Sequence, residues 1–552
     1  MKYTSVDGQL FKEMLLNGAK ELENNKVAVN ALNVFPVPDG DTGTNMSATM
    51  MAAAAEIKKV KDINVHSVGD AASMGSLMGA RGNSGVILSQ ILRGISKQLK
   101  DKKSISTMDF GLALKEGVSV AYRAVMRPTE GTILTVARES AEAACEIAKT
   151  EKDFAVFMRK VYNQASETLD RTPNMLPVLK QAGVVDAGGK GLLCIYLGIL
   201  KTLEGIAVLD SPEIEEDKED KNVSYENIET GDIKFGYCTE FFIKTKNGDP
   251  DKFKNEIVDL GDSMVVVGTE NLIKVHIHTN EPGTVLNKAM THGELSKIKI
   301  DNMREQHRSI IDENDQEKTE EPVNENSIAD NETEKDYGVI TVAMGDGITS
   351  IFKNLGVDVV IEGGQTMNPS TQDILEAINS INAKKIFVMP NNGNIIMAAQ
   401  QARDISGKDV SVIPTKSIPQ GITAVITLNP DLSSDVNEKE MNEAILRVKS
   451  GQVTYAVRDT VFNDVEIKEG NVLGICNGKL IKAGENLDSI VENLIDTMVD
   501  EESQLITILF GNGLKEEDTS SIENYIADKY PDCEVSITYG GQPLYYYIIS
   551  VE

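Results

Sequence analysis

Asn33-Val34-Phe35-Pro36-Val37-Pro38-Asp39-Gly40-Asp41-Thr42-Gly43-Thr44-Asn45-Met46 is the stretch on which the reading of this chain turns. Two prolines and two glycines exclude a regular element, so it reads as a fixed loop. The alanine-rich run from Ser47 to Val60 that follows reads as a helix. Asp39 and Asp41 therefore stand at a helix entrance, where unpaired backbone N–H groups favour anions. Carboxylates repel a phosphate unless a cation lies between them, and Mg²⁺ takes one or two carboxylates together with phosphate oxygens. The same residues also suit ordinary turn and cap chemistry, and on the local sequence the two readings weigh equally.

Outward from this loop, 552 residues suffice for roughly three or four domains, with enough apolar content for sizeable cores. A net charge of −30 argues against nucleic acid or an anionic membrane surface as a main partner, since both require a basic footprint. Cys145, Cys194, Cys238, Cys476 and Cys533 show no framework spacing and read as thiols of a reducing compartment. The first residues lack a basic segment followed by an apolar one, and no apolar run is long enough to span a bilayer. A cytoplasmic protein without integral membrane association is expected.

From Asp7 to about Ile206 the apolar residues recur at helical spacing: Leu10, Phe11, Met14, Leu15, Ala19 and Leu22 share one face. The pattern returns in Met50–Val60, Ser84–Leu99, Met108–Met126, Ile133–Lys149, Phe154–Leu169 and Leu192–Leu203. A helical bundle or barrel with a site made by its loops is the simplest architecture. Three further loops open helices as the aspartate loop does: Gly79-Ala80-Arg81-Gly82-Asn83-Ser84-Gly85, Pro128-Thr129-Glu130-Gly131-Thr132, and Val185-Asp186-Ala187-Gly188-Gly189. Capping and close packing explain each alone; together they favour a phosphate-bearing ligand, because loops at one end of a bundle converge.

Acidic, polar sequence at 207–233 and 312–336 reads as two linkers flanking a small α/β domain over 234–311. There Tyr237–Ile243 and Leu272–His278 read as strands, on which His276 and His278 point to one face. With Cys238 they suit Zn²⁺; a satisfied core histidine, an anion site or a transient phosphoryl acceptor are the other readings. His292 and His307 show no partner in the sequence. Over 337–552 short β-rich runs (Val339–Met344, Val357–Ile361, Lys385–Met389, Val410–Pro414) alternate with helical patterns, the signature of a parallel sheet. Ligands of such sheets sit at the loops after the strands, here including 363–371 and Asn391-Asn392-Gly393-Asn394. No dinucleotide fingerprint or P-loop is present. The tyrosines from Tyr545 to Tyr547 read as sheet packing or an interface.

Pro38-Asp39-Gly40-Asp41-Thr42-Gly43-Thr44-Asn45-Met46, Gly82-Asn83-Ser84-Gly85, the loop around Thr132 and Asp186-Ala187-Gly188 together resemble DhaL, the nucleotide-binding subunit of dihydroxyacetone kinases. That resemblance covers Asp7 to Ile206 and implies an all-α helical barrel of eight helices holding ATP through two Mg²⁺ ions. A third aspartate of the DhaL pattern is replaced near Val34 and Phe35, leaving Asn33 as the candidate oxygen ligand. The whole chain, with Cys238, His276 and His278, resembles FakA of the bacterial fatty acid kinases. Resemblance to that family implies ATP-dependent phosphorylation of a fatty acid held by a separate carrier of the FakB kind. It further implies zinc at Cys238, His276 and His278, and a C-terminal α/β domain of DegV-like fold that docks the carrier; a homodimer is an open assembly state.

On this reading Asp39 and Asp41 hold Mg²⁺, aided by Asn33. Thr42, Gly43, Thr44, Asn45, Asn83, Ser84 and Thr132 cradle the nucleotide, Asp186 supports it, and Arg81 is the candidate for stabilising transferred charge. A carboxylate acceptor is already ionised near neutral pH, so no general base is needed. The rivals are phosphorylation of dihydroxyacetone or another small hydroxy compound, and a non-catalytic ATP-binding scaffold for lipid carriers. The absence of a DhaK half with its substrate-binding histidine counts against a self-sufficient dihydroxyacetone kinase.

Overall fold

The computed structural model describes residues 3–33, 40–125, 127–208, 237–245, 250–257, 260–269, 272–302, 334–364, 367–457, 459–462 and 465–552. They divide into one unit of Met1–Ile214 with Asn331–Glu552, and a second of Glu215–Asp330. Asp39 and most of both acidic linkers lie outside the described residues.

The first part of the larger unit is helical: α1 (Gly8–Asn24), α2 (Lys26–Asn30), α3 (Thr42–Lys59), α4 (Val65–Met78), α5 (Gly82–Gln98), α6 (Thr107–Ala124), α7 (Ile133–Thr150), α8 (Phe154–Met175), α9 (Pro177–Ala182) and α10 (Ala187–Glu204). Packing runs from α1 to α3, α4, α5, α6, α7, α8 and α10, and α10 returns to α1, closing a ring of eight helices. Apolar stripes turn inward: Phe11, Met14, Leu22, Met46, Met50, Leu88, Ile91, Phe154, Phe157 and Ile195 form one continuous core. Phe110, Phe154 and Phe157 meet edge to face within it, at centroid distances of 6.2, 6.4 and 5.9 Å. A short antiparallel pair, β1 (Val6–Asp7) with β2 (Ser104–Ile105), ties the chain start to the α5–α6 connection.

One expectation needs adjustment. The helix after the aspartate loop starts at Thr42, not Ser47, so Thr42 through Asn45 form its first turn and Asp41 stands at its N-cap.

The C-terminal part of the same unit holds a four-stranded parallel sheet in the order β10 (Val410–Val412), β9 (Ala383–Met389), β7 (Lys335–Ala343), β8 (Val359–Glu362). Strand β7 thus begins inside the stretch read as linker. Both faces are covered, as a parallel sheet requires: along β9, Ile386 and Val388 enter one core while Phe387 and Met389 enter the other. Behind it lies a six-stranded mixed sheet ordered Lys479–Gly484, Val472–Cys476, Lys449–Tyr455, Tyr547–Val551, Leu505–Phe510, Glu534–Tyr539. Tyr547 is fully buried in its core with Tyr546 packed against it, and Tyr545 is buried in the core it shares with the parallel sheet, so the terminal tyrosines serve packing.

Among its described residues the second unit has a four-stranded antiparallel sheet in the order β4 (Gly261–Thr269), β5 (Leu272–Thr279), β3 (Tyr237–Lys244), β6 (Glu294–Asn302), with the helices Pro250–Ile257 and Pro282–Met290. Phe241, Ile243, Phe253, Ile273, Val275 and Val285 make its core. His292 is not partnerless: its Nε2 lies 2.8 Å from Glu256 and its ring meets Phe253 edge-on.

Candidate active site

In a closed ring of helices joined by short connections, successive helices run in alternating directions, so every second N-terminus comes to the same end. Here α3, α5, α7 and α10 occupy alternate places in the ring. Their first turns line one cavity of about 290 Å³: Asp41, Thr42 and Asn45 from α3, Asn83, Ser84 and Ile87 from α5, Ile133 from α7, and Asp186, Ala187 and Gly188 from α10. Leu32, Asn33, Leu179 and Asn394 complete the lining. Four helix N-termini directed at one space create a region of positive partial charge suited to a polyanion.

Two acids face that same region. Burial pushes the Asp41 carboxyl up to about 6, against hydrogen bonds from Asn45 and Asn368 that lower it. Burial likewise raises Asp186 to about 6, although its Oδ2 accepts from the Gly189 N–H at 2.7 Å as the N-cap of α10. Carboxyls strained in this way are what a divalent cation or a ligand-borne positive charge relieves. Asp41 caps no backbone N–H of the turn it precedes; its bond there is with the Asn45 side chain.

The glycines have local causes. Gly82 has φ +56°, and a Cβ there would lie 2.5 Å from Asn45 Nδ2, so only glycine lets α3 and α5 approach at their starts. Gly43 instead meets the Lys26 carbonyl, which a Cβ would approach to 2.2 Å. Thr44 is likewise turned to α2, its N–H donating to Asn30 Oδ1 at 3.1 Å and its Oγ1 accepting from Asn30 Nδ2 at 2.9 Å.

The expected residues therefore sort into three groups. Asn33, Asp41, Thr42, Asn45, Asn83, Ser84 and Asp186 come together on the cavity. Gly43, Thr44 and Thr132 stand beside it without lining it, Thr132 as the N-cap of α7 with its Oγ1 accepting from Leu134 N–H. Arg81 is directed elsewhere: Nη1 donates to the Asn368 carbonyl at 2.8 Å and Nη2 lies 3.7 Å from Asp373. Asp39 and the side chains of Cys238, His276 and His278 lie outside the described residues; the backbone register sets Cys238 opposite His278 and Glu240 opposite His276. Among the described residues no cluster of three His, Cys, Asp or Glu suited to a metal occurs, and no helix is long and apolar enough to cross a membrane.

Two site residues come from the C-terminal α/β part. Asn394 accepts from Asn83 Nδ2 at 3.2 Å and Asn368 donates to the Asp41 carboxylate. Both sit in loops after parallel strands, where the rule for such sheets points, but nothing local joins them to residues some three hundred positions earlier.

Three family models match in succession: the DAK2 domain over 36–201, the FakA-like middle domain of fatty acid kinase over 234–310, and the FakA-like C-terminal domain of fatty acid kinase over 338–552. Protein YloV of Bacillus subtilis is 48% identical over 564 residues, covering 100% of both chains. An uncharacterized protein of Staphylococcus epidermidis is 42% identical over 556 residues, again covering 100% of each. Among solved structures, the dihydroxyacetone kinase of C. freundii matches at TM-score 0.31 and 11% identity, covering 40% of this chain and 49% of that one. The DegV family protein Cg2579 of Corynebacterium glutamicum matches at TM-score 0.31 and 11% identity, covering 39% of this chain and 96% of that one. Matched along its length by these models and relatives, the chain belongs to the FakA-like family of fatty acid kinase proteins, with a kinase-like DAK2 domain at its N-terminal end.

Proposed function

We propose that this protein transfers the γ-phosphoryl group of ATP to the carboxylate of a fatty acid presented by a separate carrier protein, giving an acyl phosphate and ADP. The observation that carries the reading is the convergence of four helix N-termini and two buried acids on one cavity, within a chain of this family. A carboxylate oxygen forms the new bond to the γ-phosphorus while the bond to the β,γ-bridging oxygen breaks. No proton moves, so the protein's task is alignment and charge neutralisation.

The donor set fits Mg²⁺. Asp41 supplies a carboxylate, and Asn33, Asn45 and Asn83 supply hard amide oxygens, with Asn83 Oδ1 buried and lacking a hydrogen-bond partner. Asp39 is the second carboxylate of the proposed pair. Bound Mg²⁺ would neutralise phosphate charge; Thr42, Ser84 and the first-turn N–H groups bind and orient the nucleotide. Asp186 fixes the start of α10, Thr132 that of α7, and Gly43 and Thr44 seat α3 on α2.

The test is ATP consumption by the whole protein with fatty acid, with and without a fatty-acid-binding carrier, beside dihydroxyacetone. Turnover should require fatty acid and carrier together, and Asp41→Ala should lower it by about a hundredfold or more while far-UV circular dichroism is unchanged. Carrier-free turnover of dihydroxyacetone would favour the small-hydroxy-compound kinase. ATP binding without any turnover would favour the scaffold.

In the middle unit, a thiolate from Cys238 and imidazoles from His276 and His278 form a donor set suited to Zn²⁺, and the pairing of Cys238 with His278 supports it. Metal analysis of the purified protein should find zinc, lost on His276→Ala or His278→Ala. Zinc-free parent protein would remove this proposal.

A further inference from the structure

The loop between β8 and the helix Thr371–Ser380 reaches from the α/β part to the start of α5. Ser370 pairs with Arg81 in an antiparallel bridge, and the Thr371 N–H donates to the Ala80 carbonyl at 3.1 Å. Arg81 reciprocates through the Asn368 carbonyl. This pairing drives the Asn368 side chain inward, where it is 1% exposed and its Nδ2 donates to Asp41 Oδ2. Its Oδ1 is buried without a hydrogen-bond partner.

Asn368 spends the hydrogen bond it makes on an acid that caps no backbone N–H of its own helix and is otherwise met there by the Asn45 side chain. A carboxylate that must receive a cation needs a fixed orientation, and side-chain donors supply it while lone pairs remain for the ion. We propose that Asn368 is a positioning residue of the nucleotide site, fixing the Asp41 carboxylate from the C-terminal α/β part for the divalent cation that accompanies a nucleoside triphosphate. The proposal rests on the nucleotide reading of the cavity. It makes the site composite: the barrel supplies the ligands and the α/β part supplies their orientation.

Equilibrium binding of ATP to the full chain, measured across a Mg²⁺ titration, tests this. Asn368→Leu should raise the half-saturating Mg²⁺ concentration by about tenfold, the range expected for losing a hydrogen bond to a charged group. Gln401→Ala serves as the interface control: Gln401 joins the same two parts by donating to the Leu77 carbonyl at 3.2 Å and does not line the cavity. It should leave the Mg²⁺ dependence unchanged, since loosening the interface alone does not reorient Asp41. Should Asn368→Leu not fold, Asn368→Ser gives the same readout with a smaller polar side chain. Mg²⁺ dependence equal to the parent's in the Asn368 variant, or an equal shift in Gln401→Ala, would overturn the positioning role. Parent protein that binds no ATP at any Mg²⁺ concentration would overturn the nucleotide reading itself, a distinguishable result.

Discussion

Asp186 is held where its charge is both wanted and disfavoured. Its Oδ2 accepts from the Gly189 N–H at the positive end of α10, yet burial pushes the carboxyl up to about 6 from an ordinary 3.8. The folded protein therefore binds this proton more tightly than the unfolded chain does. Between those two values, raising the pH strips the proton from the unfolded chain first, so stability falls as pH rises from about 4 to about 6 and stays lowered above that. The full shift corresponds to about 3 kcal/mol, and partial solvent contact reduces what is realised. Asp186→Asn keeps the acceptor for Gly189 and cannot ionise. Urea unfolding of the ligand-free variant should show it more stable than the parent by about 1–2 kcal/mol at pH 7.5 and equal near pH 4. A variant less stable at pH 7.5 would mean that the helix terminus holds the charge more strongly than burial opposes it.

At the scale of elements, the site is an arrangement of helix starts, and each start depends on its cap. Thr132 Oγ1 accepts from the Leu134 N–H at 3.4 Å and donates to the Thr129 carbonyl at 2.8 Å, setting where α7 begins and so where Ile133 meets the cavity. Thr132→Ala should cost about 1 kcal/mol in chemical denaturation, with Thr132→Ser restoring most of it. An unchanged stability in the alanine variant would place the threonine's value outside capping. The loops opening α3, α5, α7 and α10 were legible as helix entrances because Asp, Ser, Thr and Gly before apolar runs report their own local chemistry, although α3 begins at Thr42 and not at the expected Ser47. Helix α4 was not. Its inward face rests on Val65, Val68 and Ala72, and its remaining contacts are made by small residues. A Cβ on Gly75 would lie 2.6 Å from the Ala52 carbonyl, so α3 and α4 pack by near-backbone contact, which leaves a weak apolar periodicity. The parallel sheet was legible from its strand runs. Asn368 and Asn394 were flagged only as loop residues, since their partners Asp41 and Asn83 lie far away in sequence and no local pattern encodes that pairing.

Across the whole molecule, α5 joins the barrel to the α/β part. Leu88, Ile91, Leu92 and Ile95 lie in the barrel core, whereas Val86, with Ala80 just before the helix, is buried against Ile340, Ile374, Ile378 and Ala398. A helix buried on both sides cannot lose one core without exposing apolar surface of the other, so the two parts should unfold together. Val86 is 3% exposed. Val86→Asp places an unpaired charge in that seam, at a cost of several kcal/mol unless the seam opens to water. Opening is the cheaper outcome, because the barrel core on the other face of α5 is untouched. Calorimetry of the parent should therefore show the barrel and the α/β part in one transition, and Val86→Asp should split it into two with helical signal retained in the first-formed intermediate. The separated variant should also bind ATP less tightly, since Asn368 leaves the Asp41 carboxylate and Asn394 leaves the cavity when the seam opens. A single transition in Val86→Asp with unchanged ATP affinity would mean that the barrel keeps its site without the C-terminal part, and that the coupling drawn from α5 is not energetic.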